Sequence, residues 1–143
     1  DDAVHAVKAS LEEGVVAGGG VTFVNLAQTV ASDNTDATIV AGSTILKNAL
    51  EQPFRILMEN AGINADEWLP QVKKSEGKGV NVNDPSKLVD MKSVGIVDPA
   101  RVAREAIQNA VSIAGTGMTM GAHVVEVPEK ASPSQGSGGG MDF

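Results

Sequence analysis

Three short stretches of the sequence carry residues that could contact a ligand. Asp1 and Asp2 stand at the start of a predicted helix, glycines 18–20 form an unbroken run, and Asp98 directly precedes Pro99. Carboxylates can orient water or accept hydrogen bonds, and glycines let the backbone approach a flat ligand closely. Each stretch also has a structural explanation, since acidic residues complement a helix dipole, glycines connect elements and aspartate caps helices. Residue types and spacing alone leave both explanations open.

Several common catalytic patterns are absent from the sequence. No glycine loop is followed by Lys-Ser or Lys-Thr, as in the usual phosphate-binding loop. His5 and His123 have no second ligand at metal spacing, and the chain has no cysteine for a thiolate site, a thiol nucleophile or a disulfide. The glycines of residues 115–121 follow a predicted helix and lack the spacing of a dinucleotide fingerprint. No serine has the His and Asp partners that would indicate a hydrolase.

The composition is that of an ordinary globular domain with an aliphatic core. The 143 residues are 42% hydrophobic but only 3% aromatic, and the formal net charge is -7. Nucleic-acid binding needs an excess of Lys and Arg, and a membrane helix needs roughly 20 apolar residues, so we expect neither partner. The lack of cysteine fits a reducing compartment without proving one. The expected location is cytoplasmic, and an organelle matrix stays open as the alternative. Without an initiator Met or a signal peptide, the chain is expected to be a fragment.

Apolar residues at helical spacing predict a mainly α fold with minor β structure. Helices are predicted over residues 1–13 and 21–31, and a third helix reaches Leu50. Pro53 suits the first turn of a separate fourth helix, because its missing N–H is not needed there. Gly62 suits the end of that helix.

The next part of the chain predicts a short helix and a small hairpin. Asn64 and Glu67 have the spacing of a capping box, and Pro70 is expected to distort the helix that they begin. Short alternation around Val80 and Val82, among many turn residues, predicts a β-hairpin.

The clearest predicted helix start lies late in the sequence. Asp98 is predicted as the N-cap and Pro99 as the first residue of a long amphipathic helix. Residues 123–127 are predicted to form a short C-terminal strand, and residues 131–143 a flexible Gly-rich tail. We therefore expect one domain over residues 1–130, followed by the tail.

Three quoted stretches together resemble a known family. "DDAVHAVKASLEEGVVAGGGV", "VGIVDPARVAREAIQNAVSIAG" and the terminal "GGGMDF" closely resemble the C-terminal part of group I (bacterial-type) chaperonins, in wording, order and separation. The resemblance covers essentially the whole chain. It implies the C-terminal half of the equatorial domain, a helical domain that binds ATP and makes most contacts within and between two stacked rings.

The resemblance also implies roles for individual residues. Asp2 matches the catalytic aspartate, which positions and polarises the water that attacks the γ-phosphate. Gly19 matches the glycine whose backbone packs against the adenine side of ATP. Asp98 matches the acidic residue that accepts hydrogen bonds from the ribose hydroxyls. The short stretch that touches the adenine is matched by Asn81, Val82 and Asn83.

The cofactors and partners are implied in the same way. ATP and Mg²⁺ are the expected cofactors, with Mg²⁺ ligands mainly from the N-terminal half of the equatorial domain, so no metal ligand is assigned here. The expected partners are further copies of the subunit in a stacked double ring, unfolded polypeptide clients and a co-chaperonin. ATP binding and hydrolysis would drive client refolding in the full-length subunit, while the isolated fragment is expected to be inactive.

Two other interpretations stay open. The chain could belong to a ring-forming structural subunit that has lost ATP turnover. It could also be an unrelated α-rich enzyme domain in which the backbone of the glycines contacts another ligand.

Overall fold

The structure, a computed structural model, describes residues 2–31 and 35–122. Within these ranges the chain is mainly helical with short antiparallel strands, which confirms the predicted fold class. None of the described helices is both long enough and apolar enough to span a membrane. In chain order the elements are α1 (Asp2–Glu13), β1 (Val15–Ala17), α2 (Val21–Thr29), α3 (Ala37–Asn60), α4 (Ala65–Lys73), β2 (Lys78–Asn81), β3 (Asp84–Asp90), β4 (Val97–Pro99) and α5 (Ala100–Thr119).

The hydrophobic core lies where α2, the second half of α3, α4 and the β2–β3 hairpin meet. Most of its residues are aliphatic, as the composition predicts, but it also contains Phe54, Met58 and Met91, and Trp68 packs against it. Burying a side chain of this size contributes about 1.5–3 kcal/mol. The largest fully buried side chains of the described residues are Phe54, Met58, Met91, Val21, Val24 and Val72.

Helix α3 runs unbroken past Pro53, so the prediction that a separate helix begins there is wrong. A proline inside a helix costs about 3 kcal/mol, because it removes one hydrogen bond and crowds the carbonyl four residues earlier. Leu50, Phe54 and Met58, each four residues apart, are all buried on one face. At about 1.5–3 kcal/mol each, their burial outweighs the local cost of the proline.

The end of α3 is fixed by a Schellman motif, which confirms the predicted role of Gly62. The Ile63 N–H donates to the Met58 carbonyl at 2.9 Å, and the Gly62 N–H donates to the Glu59 carbonyl at 2.9 Å. Gly62 adopts a φ of 72°, a left-handed conformation that favours glycine. The chain thereby turns sharply into α4.

The predicted short helix after Gly62 is confirmed as α4. The Asn64 side chain accepts a hydrogen bond from the Asp66 backbone N–H at 3.0 Å and so caps the helix. The helix includes Pro70, which is exposed to solvent, while Leu69 and Val72 are buried in the core.

Helices α1 and α5 form a second packed unit, joined at the two-stranded sheet of β1 and β4. Glu12 and Glu13 end α1, and Arg101 and Arg104 begin α5. Arg101 Nη1 lies 2.7 Å from Glu12 Oε2, and Arg104 Nη2 lies 2.7 Å from Glu13 Oε1. These exposed pairs set the orientation of the two helix ends more than they add stability.

Much of the apolar surface of α1 and α5 is exposed in the described part of the chain. On α5, which was predicted as a long amphipathic helix, Ala103 is buried. The predicted strand at residues 123–127 and the predicted tail at residues 131–143 lie outside the described residues. The exposed large apolar side chains of the two helices are Val4, Val7, Leu11, Val102, Val111, Ile113 and Met118.

Candidate functional site

Glycines 18–20 form the turn between β1 and α2. The Gly18 N–H donates to the Ile96 carbonyl at 3.0 Å, which ties the turn to the residue before β4. Gly19 and Gly20 adopt φ angles of 66° and 76°, and Gly20 is the N-cap of α2. Two consecutive left-handed residues explain why the chain uses glycine here.

Two of the three glycines are also required by close packing. A Cβ atom at Gly20 would lie 2.7 Å from the Phe54 nitrogen, and one at Gly18 would lie 3.1 Å from the Ile96 carbonyl oxygen. Both neighbours are backbone atoms that cannot move aside cheaply. Packing therefore accounts for Gly18 and Gly20 without a ligand.

Gly19 differs from its two neighbours, because it is partly exposed and they are buried. A Cβ atom there would meet only side chains, Met91 Cε at 2.9 Å and Ile96 Cγ2 at 4.0 Å. Gly19 is thus the glycine of the run that offers backbone to the outside of the turn. It is also the residue that the family resemblance assigns to the adenine side of ATP.

Asp98 lies in β4 and does not cap α5, so its predicted N-cap role is wrong. Pro99 is the N-cap, without a side-chain hydrogen bond, and α5 begins at Ala100. The physical reason is that the Asp98 backbone pairs with Val16 of β1 and keeps an extended conformation. The Asp98 carboxyl group is half-buried, and this desolvation raises its pKa above the ordinary value.

The pairing of β1 with β4 brings Asp98 near the glycine turn. Val16 opposes Asp98 and Ala17 opposes Val97, immediately before the turn begins. Gly19 follows Val16 by three residues, a reach of at most about 11 Å. Two residues that are far apart in sequence therefore lie at one end of one small sheet.

The β2–β3 hairpin, which confirms the sequence prediction, carries the other predicted adenine contacts. Asn81 pairs with Asp84, so Val82 and Asn83 form a two-residue turn. Asn81 Oδ1 accepts a hydrogen bond from the Asn83 N–H at 3.0 Å and stabilises that turn. Val82 is 46% exposed, so the hairpin tip presents an apolar side chain to solvent.

The base of the hairpin packs against the start of α2. A Cβ atom at Gly79 would lie 2.3 Å from Val21 Cγ2 and 3.0 Å from Met91 Sδ. Met91 in turn lies against Gly19. The structure thus joins the hairpin and the glycine turn through Met91, while the described hydrogen bonds do not link residues 81–83 directly to Gly19 or Asp98.

Asp2 is the first residue of α1, and its side chain lies outside what the structure describes. At 1.5 Å per residue, the 12 residues of α1 span about 17 Å. The Gly14 carbonyl at the other end accepts a hydrogen bond from the Ala100 N–H at 3.1 Å. Asp2 is therefore one helix length away from the junction that holds Asp98.

Neither groove found beside these elements contains a predicted site residue. One groove, of about 590 Å³, lies between α1 and the start of α5; the other, of about 510 Å³, lies between α2 and the end of α4. Among the described residues, no cluster of three or more His, Cys, Asp or Glu could hold a metal ion. The predicted nucleoside contacts that the structure describes thus lie at exposed or partly exposed positions of the glycine turn, β4 and the hairpin tip.

Sequence reasoning missed two residues that connect the elements carrying these positions. Met91 lies between the hairpin and Gly19, and Asn25 hydrogen-bonds to the segment that leads into β2. The only sequence signal for the role of Asn25 is that this polar residue interrupts an apolar helical stretch. Met91 gave none, because a methionine after a predicted strand is ordinary.

Known proteins resemble this chain in both sequence and structure. The sequence model of the TCP-1/cpn60 chaperonin family matches residues 1–126. The structure is similar to an open-state monomer of a group II chaperonin from Methanococcoides burtonii, with a TM-score of 0.74 and 25% sequence identity. The match covers 83% of this chain and 31% of that one, so this chain spans about a third of that chaperonin. These findings support the family, and they do not support the group I assignment.

Proposed function

The chain belongs to the TCP-1/cpn60 chaperonin family, and from that premise we propose that it supplies the nucleoside side of an ATP site. It does so within a longer subunit, to which it also contributes a catalytic aspartate and ring contacts. ATP binding and hydrolysis by that subunit drive the refolding of polypeptide clients. The observation that carries the proposal is the Asp98 carboxylate, which is half-buried on the strand that pairs with β1, leading into the glycine turn, and which does not cap α5.

Asp98 is suited to bind ribose. An ionised carboxylate is a hydrogen-bond acceptor, and the vicinal hydroxyls of ribose are donors. Desolvation has raised the pKa of Asp98, and a donor placed against it would relieve the cost of keeping it ionised. The backbone pairing with Val16 holds the group in place before a ligand arrives.

Gly19 and the hairpin tip are suited to the base. The exposed backbone of Gly19 allows close approach by a flat ring, and Val82 offers apolar surface. Asn81 and Asn83 add backbone and amide groups at the same tip. The adenine would therefore lie between the glycine turn and the hairpin.

Asp2 is proposed to act at the opposite end of the ligand. In ATP the ribose lies between the adenine and the phosphates, and the γ-phosphate is the end remote from the adenine; Asp98 and Asp2 are one helix length apart. Phosphoryl transfer depends chiefly on positioning and charge stabilisation, so a carboxylate can serve by orienting the attacking water. Mg²⁺ would neutralise the phosphates when bound, and we assign its ligands mainly to parts of the subunit beyond this chain.

The finer assignments belong to the same proposal. We assign the subunit to the group I class on the three sequence stretches, with a stacked double ring, a co-chaperonin and a cytoplasmic location. ATP would shift the ring between conformations that show clients different surfaces. The exposed apolar faces of α1 and α5 are consistent with a chain that needs further protein around it.

The test compares a complete native subunit with its Asp2→Asn variant. We expect ATP turnover to fall by orders of magnitude, while ATP binding and ring assembly persist. Unchanged turnover would refute the role of Asp2. A native subunit that assembles but does not hydrolyse ATP would instead favour the structural, turnover-deficient alternative.

A further inference from the structure

Asn25 occupies an unusual position in α2. It stands between Val24, which is buried, and Leu26, and its own side chain is partly buried. Asparagine is a weak helix former, since its amide competes for backbone hydrogen bonds. A polar side chain turned toward a core also costs free energy unless it is hydrogen-bonded. Some specific interaction must therefore retain it.

The Asn25 amide makes hydrogen bonds with both of its polar atoms. Its Nδ2 donates to the Val72 carbonyl at 3.3 Å and to the Ser75 carbonyl at 3.5 Å. Its Oδ1 accepts from the Gly77 N–H at 3.0 Å. Two carbonyls face the amide nitrogen and one N–H faces the amide oxygen, so the reversed orientation would place like groups together.

These three partners lie at the end of α4 and on the segment that connects it to β2. Val72 is in the last turn of α4, and its carbonyl also accepts a hydrogen bond from the Ser75 N–H at 3.1 Å. Gly77 directly precedes β2, and its carbonyl accepts a hydrogen bond from the Met91 N–H at 3.1 Å, which closes the base of the hairpin. The Asn25 amide therefore fixes the path by which the chain leaves α4 and begins the hairpin.

A second contact from the same helix fixes the hairpin one turn earlier. Val21 packs against Gly79 so closely that a Cβ atom there would be 2.3 Å away. Val21 and Asn25 are four residues apart and share one face of α2. Helix α2 begins at Val21, directly after the glycine run, so one rigid element positions both the glycine turn and the hairpin.

We infer that Asn25 is a positioning residue for nucleoside recognition: it holds the hairpin that carries residues 81–83 at the distance from Gly19 that an adenine requires. The inference rests on the proposed ATP site. Asn25 itself touches no ligand, and it acts through Gly77 and the hairpin base. Its loss frees the hairpin to shift, so binding of the base is weakened while binding of the phosphates is unaffected.

The experiment uses the complete subunit and two probes, ATP and inorganic tripolyphosphate, which lacks the nucleoside. Losing neutral hydrogen bonds of this kind predicts that Asn25→Ala raises the Kd for ATP roughly 2- to 10-fold. The Kd for tripolyphosphate is expected to stay unchanged. The matched control is Gln28→Ala, an exposed amide on the same helix, which should leave both constants unchanged.

A merely structural role for Asn25 gives a different result. It would lower thermal stability while the folded variant kept the native ratio of the two dissociation constants, and that outcome overturns the inference. Failure of the native subunit to bind ATP overturns the proposed function as well. Native ATP binding with an unaltered ratio in Asn25→Ala overturns this inference alone.

A second measurement serves if Asn25→Ala does not fold. Amide hydrogen exchange of the native subunit reports on the Gly77 N–H and on residues 78–84. ATP is expected to slow exchange there, because a bound base would hold the hairpin against the glycine turn. In a subunit that binds ATP, equal exchange rates with and without ATP would overturn this inference alone.

Discussion

The Nζ atom of Lys73, in the last residue of α4, lies 2.5 Å from Oε1 of Glu51 in the middle of α3. Glu51 is only 8% exposed, and its other carboxylate oxygen lies 3.9 Å from Arg55 Nη2. A buried carboxylate is retained without great cost only when such partners neutralise it. The pair therefore fixes how the end of α4 packs against the middle of α3.

Lys73→Ala is expected to destabilise the fold by about 1–3 kcal/mol, because it leaves the Glu51 carboxylate desolvated with Arg55 as its remaining ionic partner. The free energy of unfolding, from urea titration of the complete subunit, measures the effect. Lys74→Ala, one residue on and exposed, is the control and should change stability by less than about 0.5 kcal/mol. Equal effects of the two variants would contradict the assigned role of Lys73.

Gly20→Ala is expected to destabilise the protein by about 2–4 kcal/mol, since the new Cβ would combine a left-handed φ with a clash against the Phe54 backbone. Gly42→Ala is the matched control, because Gly42 lies inside α3 with open space around its Cα. That change should stabilise by about 0.8–1 kcal/mol. Thermal unfolding is expected to show a lower melting temperature for Gly20→Ala and a higher one for Gly42→Ala. An unchanged melting temperature of Gly20→Ala would show that the turn can relax around the new Cβ atom.

Asp98→Asn is expected to raise stability at neutral pH while weakening ATP binding. The pKa of Asp98 is raised in the folded state, so the native protein binds more protons than the unfolded chain between the two pKa values. Stability therefore falls as pH rises through that window, starting above the ordinary value of 3.8. Removing the carboxyl removes this pH dependence, which unfolding titrations from pH 4 upward would detect.

The same carboxyl predicts a pH dependence of binding with the opposite sign. Ribose hydroxyls donate to the ionised form, so ATP affinity of the native subunit should decline on acidification with a midpoint above 3.8. Asp98→Asn should show weaker binding without that decline. An unaltered ATP affinity in Asp98→Asn would contradict the role of Asp98 in ribose binding, on which the proposed function depends.

Local signals predicted the elements whose ends are determined by nearby residues. The cap at Asn64, the turn at Gly62 and the hairpin at Val82 each depend on contacts within a few positions, and all three were predicted. Their chemistry is visible in a short window of sequence. The same holds for the amphipathic face of α2.

Elements that depend on distant partners were not predicted. Pro53 is a strong helix-start signal. Helix α3 nevertheless stays continuous, because Leu50 before the proline and Phe54 and Met58 after it are buried on one face. Asp98 has the sequence of an N-cap, yet pairing with Val16 kept it in a strand. Strands β1 and β4 are three residues each and define each other, so neither has a signal of its own. Asp2 and Gly19 were assigned by resemblance, and their roles stay predictions.

The pairing of Val16 with Asp98 joins positions that are roughly 80 residues apart along the chain. Contacts of such separation form late in folding, because closing a long loop costs entropy before the contact can compensate for it. During synthesis, the glycine turn would leave the ribosome long before its partner strand. The sheet of β1 and β4 therefore cannot form on a nascent chain until β4 has been synthesised.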